Sequence, residues 1–221
     1  MIELDFPQLM MFDTDEPTAG TADLWQALEQ IASPETSQRY QGLDILLELE
    51  VPTRSPLVAY VLATRLTDPD INFRASVIKT LGKIIAPASG EPISLPARRY
   101  LKGYHSIVGR GTVLATLEVA EIDASVESYI AALYRLWPHT GAILAAIMAK
   151  HGVSVSLRRQ ALNFIGRVGF VETIPQLERL AERLSSRSNG QKRMSFAPPA
   201  EHDETTLLPT VQATLTVLRE I

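Results

Sequence analysis

A run of cationic and aromatic side chains between residues 98 and 110 is the part of the sequence best suited to binding chemistry. On a helix, Arg98, Lys102 and His105 share one face, because residues three and four apart are neighbours there. Surfaces that combine basic and aromatic groups suit phosphate backbones. The candidate partner-binding residues are Arg98, Arg99, Tyr100, Lys102, Tyr104, His105 and Arg110. The alternative interpretation is a solvated helix flank.

A second basic stretch runs from the end of a predicted helix into a predicted loop. Its members are Arg183, Arg187, Lys192 and Arg193. Cations are favoured near helix C-termini, because the helix dipole is negative there. This stretch is therefore explained as well by helix-end electrostatics as by binding.

The peptide Gln8-Leu9-Met10-Met11-Phe12 is a further binding candidate. It resembles the short Gln-Leu-x-Leu/Met-Phe peptide by which bacterial proteins dock on the DNA polymerase sliding clamp. The resemblance implies that Leu9, Met11 and Phe12 enter an apolar cleft while Gln8 bonds its rim. The alternative is an arm that folds back and buries the same apolar side chains on its own first helices.

Catalytic constellations are not evident in the sequence. A Gly-Lys-Ser/Thr phosphate loop and a Gly-x-Ser-x-Gly elbow are both missing. The four histidines lack a His or Glu partner at metal-ligand spacing, and the chain has no cysteine. The acids Glu118, Glu121 and Asp123 are read as a solvated face. The sequence therefore favours a non-enzymatic protein and indicates no catalytic residue, metal or cofactor.

These residues belong to a chain whose pattern is helical nearly throughout, so the predicted fold class is all-α. Residues 1–20 are predicted to be an acidic flexible arm, and 21–221 a single helical domain with loops at 86–97 and 185–204. The predicted helices are 21–33, 35–50, 57–66, 71–85, 97–108, 112–122, 125–136, 140–151, 154–168, 172–184 and 205–221. Many short helices in one domain predict antiparallel pairs stacked side by side.

An Arg-led helix recurs in this series. Residues 73–84 and 157–168 align without gaps, and 38–49 is a weaker copy. All three have Arg at the second position, a small or β-branched residue at the fifth and an aliphatic residue at the ninth and twelfth. The two stronger copies have Gly at the tenth, where the third has Leu47. The fifth, ninth and twelfth positions share one helix face, so they can face a core that a neighbouring helix approaches closely.

These segments resemble the HEAT repeat family, in which an Asp-Pro-Asp-like turn precedes an Arg- and Ala-containing helix ending in Leu-Gly. Asp68-Pro69-Asp70 with Arg74 and Leu81-Gly82 fits this pattern, as does Arg158 with Ile165-Gly166. The two copies lie about two HEAT-sized periods apart. The resemblance implies a HEAT-like solenoid, in which the Arg can bond backbone carbonyls or an acid of the adjacent turn.

Composition and charge narrow the choice of partner. The net charge is −4, but residues 1–50 hold eleven acids and one base, which leaves +6 for residues 51–221. The overall charge disfavours nucleic acid, although a local basic face remains available. The N-terminus carries acids where a signal peptide has bases, and no apolar run approaches the ~20 residues of a membrane span. We therefore expect a cytoplasmic protein without a membrane partner.

Two functions follow. The first is a non-enzymatic interaction scaffold that binds a protein partner through a helical-repeat surface. The alternative is a nucleic-acid-associated HEAT-like protein, such as a DNA-repair or replication accessory that docks on the clamp through residues 8–12. DNA glycosylases and phycobilin lyases with HEAT-like folds are related only by fold analogy. Neither the oligomeric state nor the partner's identity follows from the sequence.

Overall fold

A computed structural model of the chain describes residues 19–86, 95–103, 108–137, 139–191 and 203–221. The docking peptide Gln8, Leu9, Met11 and Phe12 lies outside these ranges, as do Tyr104 and His105. Within these ranges the chain is all-α, as predicted, and none of these helices is long and apolar enough to cross a membrane.

Twelve α-helices are present in the described ranges. They are α1 (Ala19–Ala32), α2 (Thr36–Glu48), α3 (Val51–Arg54), α4 (Pro56–Thr64), α5 (Ile71–Ile85), α6 (Leu95–Gly103), α7 (Arg110–Ile122), α8 (Glu127–Leu136), α9 (Thr140–Ala149), α10 (Val155–Val168), α11 (Ile174–Gln191) and α12 (Leu208–Arg219). Short 3-10 turns cover Arg65–Thr67, Ala124–Val126, Val171–Thr173 and Glu204–Leu207.

Several helices begin at side chains that cap them. Asp70 Oδ1 accepts a hydrogen bond from the backbone N–H of Phe73 at 2.8 Å, and Ser154 Oγ accepts one from Leu157 at 3.2 Å. Each bond satisfies a backbone donor that a helix start leaves without an intrahelical acceptor. These caps fix the start of α5 at Ile71, as predicted, and that of α10 one residue after Ser154.

Several helix boundaries differ from the sequence-based expectation. The predicted break after residue 50 contains the single-turn helix α3, and α6 begins at Leu95 rather than at 97. The expected loop at 185–204 begins as helix, because α11 continues to Gln191. Ser, Asn and Gly each cost a helix at most about 1 kcal/mol, and extending an existing helix is far easier than nucleating one. Composition alone therefore placed the end of α11 too early.

By its internal contacts the chain divides into two compact units, residues 1–50 and 51–221. In the first unit, α1 and α2 pack against each other. The buried face of α2 carries Gly42, whose backbone approaches Ala27 and Ile31 of α1 so closely that a Cβ would lie 2.6 Å from the Ala27 carbonyl oxygen. The small residue at the fifth repeat position therefore brings these two helices together.

The second unit, Val51–Ile221, is organised around two interior helices that are both Arg-led. Helix α5 packs against α4, α6, α7 and α8. Helix α10 packs against α7, α8, α9 and α12. Helices α7 and α8 thus lie between the two Arg-led helices and contact both. The fifth and ninth repeat positions are fully buried in each, at Val77 and Leu81 of α5 and at Ala161 and Ile165 of α10.

The tenth repeat position is Gly in both interior helices, but the two glycines are packed differently. A Cβ on Gly82 would collide with the Cβ and ring of Tyr129 on α8. A Cβ on Gly166 would meet Thr214 of α12 no closer than 3.4 Å, which is an ordinary contact. Of these two glycines, only Gly82 is therefore required for its helix to approach a neighbouring helix closely.

We expect Gly82→Ala to lower the free energy of unfolding by about 1–3 kcal/mol, because the added methyl overpacks the α5–α8 contact. Gly166→Ala is the matched control at the equivalent position. It should be neutral or stabilising by up to about 1 kcal/mol, since Ala is the better helix former. Denaturant unfolding of both variants checks this, and equal effects would contradict the assigned packing.

Candidate functional site

The arginines at the second repeat position are all buried and all donate to backbone carbonyls. Arg39 donates to the carbonyls of Ser33 and Pro34, at 3.2 and 2.8 Å, just after α1. Arg158 donates through Nε to the Met148 carbonyl in the last turn of α9, at 2.6 Å. Because helix ends leave carbonyls without intrahelical donors, Arg158 completes the end of α9, while Arg39 holds the turn between α1 and α2.

Arg74 makes the corresponding bond to a helix that follows its own, rather than to the segment before it. Its Nη1 donates to the Ala115 carbonyl at 3.1 Å and to Glu118 Oε2 at 2.8 Å, both on α7. The expectation that the arginines bond backbone carbonyls is therefore confirmed in all three copies. The charged partner of Arg74 comes from another helix rather than from an adjacent turn.

The acids of α7 and the residues after it are engaged with α5. Besides the Arg74–Glu118 pair, Lys79 binds Asp123 with an Nζ–Oδ2 distance of 2.9 Å. Hydrogen bonds from Ser125 and then from Lys79 lower the pKa of Asp123 to about 2. The sequence suggested that Glu118, Glu121 and Asp123 form a solvated face. Two of them, Glu118 and Asp123, instead bind side chains of α5 and so hold α7 and the turn after it against that helix.

The most highly charged cluster in the described part of the chain is centred on Glu204. Its carboxylate binds Arg158 Nη1 at 2.6 Å, Arg187 Nη1 at 2.7 Å and the Nδ1 of His151. The Arg158 side chain is 1% exposed and that of Glu204 is 12% exposed, so this pair is largely shielded from water. Burial raises the pKa of Glu204, but hydrogen bonds from His151 and Arg158 outweigh burial and lower it overall.

Three members of this cluster, His151, Arg158 and Glu204, line an open cavity of about 460 Å³ at the start of α10. Sequence reasoning missed it, because Arg158 and Glu204 are 46 residues apart and no local pattern links them. The only signal available was Arg158 itself, a cation in the first turn of a helix, where the dipole favours an acid. The cluster fastens the turn Glu204–Leu207 to α10 and α11.

The predicted basic surface is divided between two helices. Helix α6 buries Ala97 and Leu101 and exposes Arg98, Arg99 and Lys102. Its Leu101 carbonyl accepts a hydrogen bond of 3.2 Å from the indole of Trp137, which is itself buried. Arg110 is the first residue of α7 and is also exposed. Tyr100 lies on α6 between these cations.

Local charge is unbalanced around α6. Between Asp70 and Glu118 the sequence has seven bases and a single acid, Glu91. Among the residues that the structure describes, Arg74 and Lys79 of this stretch are neutralised by α7 and the turn after it. Arg98, Arg99 and Arg110 form no ion pair there. The α6 surface, defined as Arg98, Arg99 and Lys102, is thus an exposed cationic face.

Comparison of the chain with protein-family models, with curated proteins and with solved structures finds no match. In the ranges described here, no three His, Asp or Glu side chains converge as a metal site would require.

We expect Arg158→Met to lower the free energy of unfolding by about 3 kcal/mol, because it removes a largely buried ion pair to Glu204 and leaves the buried Met148 carbonyl without its donor. The neighbouring Arg159 on the same helix is exposed, so Arg159→Met is the control and should change stability by less than about 0.5 kcal/mol. Chemical denaturation measures both. Equal losses would show that Arg158 has no special structural role.

The lowered pKa of Glu204 predicts a pH-dependent contribution to stability. A carboxyl whose folded pKa lies below its ordinary value of 4.5 stabilises the fold above that pH and loses this effect as the pH falls through the folded pKa. Wild type should therefore exceed Glu204→Gln in unfolding free energy at pH 7, and the difference should shrink towards pH 3. A difference that stays constant with pH would contradict the assigned charge pairing.

Proposed function

We propose that this chain is a non-enzymatic scaffold of HEAT-like helical repeats that binds a partner protein through an acidic segment of that partner. The repeat part of the proposal is supported by the equivalence of Arg39, Arg74 and Arg158. Each is buried and each donates to the backbone of a neighbouring segment. Helices that carry the same residue in the same structural role are expected of a repeat array.

The binding part rests on one observation, the exposed cationic face of α6. Arg98 and Lys102 are one turn apart, and the buried Ala97 and Leu101 hold the opposite side of the helix in the core. Guanidinium groups bind carboxylates with two parallel hydrogen bonds, and an arginine without an intramolecular acid keeps this capacity. The exposed guanidinium groups of Arg98 and Arg99 therefore offer this binding chemistry to a partner.

A protein partner is favoured over nucleic acid by charge and by the aromatic residues. The whole chain carries −4, which opposes approach to a polyanion. The three cations of α6 could neutralise only a few phosphates. Trp137 is buried and its indole N–H is engaged by the Leu101 carbonyl, so it cannot stack on a base. The same net charge opposes an acidic peptide, but a short acidic segment can carry few charges and needs no base stacking, so it suits this small surface better than a nucleic acid does.

The proposal is tested with a fluorescein-labelled oligo-glutamate of about twelve residues at about 50 mM salt, where surface ion pairs are weakly screened. We expect the double variant Arg98→Glu, Lys102→Glu to weaken binding at least tenfold, about 1.4 kcal/mol, because it replaces attraction by repulsion. Fluorescence anisotropy gives the dissociation constants.

The matched control is Lys150→Glu, Arg159→Glu, which changes one exposed Lys and one exposed Arg elsewhere in the second unit. It alters the net charge equally and should retain nearly wild-type binding. If both variants weaken binding equally, the loss comes from the change in net charge, and the binding surface is not located on α6. A single-stranded oligodeoxynucleotide of the same length is measured alongside. If the wild-type chain binds it more tightly than the peptide, and the α6 double variant no longer binds it, the nucleic-acid function is favoured instead.

A further inference from the structure

The Glu204 carboxylate faces three basic side chains beside the start of α10. It accepts hydrogen bonds from Arg158 Nη1 at 2.6 Å, from Arg187 Nη1 at 2.7 Å and from the Nδ1 of His151. We call these three side chains the Glu204 socket. In the described ranges, neither arginine is paired with a second acid. Two guanidinium charges therefore share one negative charge, and protonation of His151 adds a third positive charge.

The Glu204 socket is open to solvent on one side. His151, Arg158 and Glu204 line the cavity of about 460 Å³ at the start of α10. The side chains of His151 and Arg187 are 58% and 50% exposed. Arg158 is 1% exposed, and Glu204 lies directly against its Nη1. Another anion can therefore reach this nitrogen only by taking the place of Glu204.

The donors of the socket outnumber the oxygens of a carboxylate. Oε1 of Glu204 is shared between His151 and Arg158, and Oε2 binds Arg187. A phosphate monoester has three terminal oxygens and carries up to two negative charges, so it can give each of the three side chains its own acceptor. Guanidinium groups bind phosphate with charge-assisted hydrogen bonds, and the N-terminus of a helix such as α10 also favours an anion.

We propose that the Glu204 socket is a binding site for a phosphate group, and that Glu204 occupies it as a built-in competitor. The site is independent of the α6 surface. Glu204 holds the turn Glu204–Leu207 against α10 and α11. A phosphate group that displaces the carboxylate therefore balances the socket more completely and releases this turn, so the contact of Glu204 with its socket is autoinhibitory.

The test uses the full chain labelled with ¹³C-histidine, because His151 contacts Glu204 directly and is one of four histidines. A His151→Gln spectrum assigns its signal. At constant pH and ionic strength, inorganic phosphate at millimolar concentration should shift the His151 signal saturably. Acetate, which brings only the charge that Glu204 already supplies, should bind more weakly. A His151 signal that does not respond to phosphate, or that responds equally to both anions, would overturn the proposal.

Variants of Glu204 test its role as a competitor. Glu204→Ala empties the socket, and Glu204→Gln removes the charge but keeps the size, so it serves if the Ala variant does not fold. Each should bind phosphate at least about tenfold more tightly than wild type, because a socket that is filled for about 90% of the time is available for only about a tenth of it.

The matched controls are Glu178→Ala and Glu178→Gln. Glu178 pairs with Arg219 on the surface of the second unit, so its replacement changes the net charge equally. These variants should bind phosphate as wild type does. If the Glu204 variants bind no more tightly than the Glu178 variants, Glu204 does not compete for the socket and the proposal fails.

Arg187→Gln in the Glu204→Gln background should weaken phosphate binding at least about tenfold, the loss expected for a charge-assisted hydrogen bond. Arg187 is half-exposed, so its replacement should leave the fold intact. Arg159→Gln in the same background removes an exposed arginine of α10 and should leave binding unchanged. Binding that persists without Arg187 would refute the assigned site.

The source of the phosphate group is distinguished with N-acetyl-phosphoserine amide. If this compound binds at least as tightly as inorganic phosphate, the socket takes a phosphate group carried on a peptide. If inorganic phosphate alone binds, the socket takes free phosphate. In both cases the dependence on Arg187 supports the site.

Discussion

The hydrogen bond from a buried guanidinium to a backbone carbonyl of a neighbouring segment is the constraint on which the helical packing depends. A cation taken out of water needs acceptors, and helix C-termini and the turns after them have carbonyls to spare. Arg158 uses a carbonyl at the end of α9 and Arg39 uses those of the turn after α1, whereas Arg74 donates to a carbonyl within α7. Since an arginine cannot neutralise itself by losing a proton, the geometry around it admits few alternatives.

Local features of the fold could be predicted from the sequence, because they depend on residues that are close together in the chain. The capping side chains Asp70 and Ser154 lie within three residues of the groups they satisfy, so the limits of α5 were predictable. The repeat arginines were recognisable as specific for a similar reason, since a cation in the first turn opposes the helix dipole. The HEAT-like interpretation itself remains a proposal.

Features that depend on residues far apart in the sequence could not be predicted. Lys79 and Asp123 are 44 residues apart, and the three partners of Glu204 come from three different segments. No periodicity links such pairs, and a solvated acid and a paired acid look the same in a sequence. Arg183 illustrates the same limit, because only the folded structure shows that its Nε and Nη2 are buried without a hydrogen-bond partner.

The pairing of Arg158 with Glu204 also has a consequence for biosynthesis. The ribosome must add 46 residues after Arg158 before its acidic partner exists. At about 5–20 residues per second, this takes roughly 2–9 s. During that interval α10 can pack against α9, and its arginine can engage the Met148 carbonyl, but its charge still lacks Glu204. The charge of Arg158 is therefore balanced only after the turn Glu204–Leu207 has been synthesised.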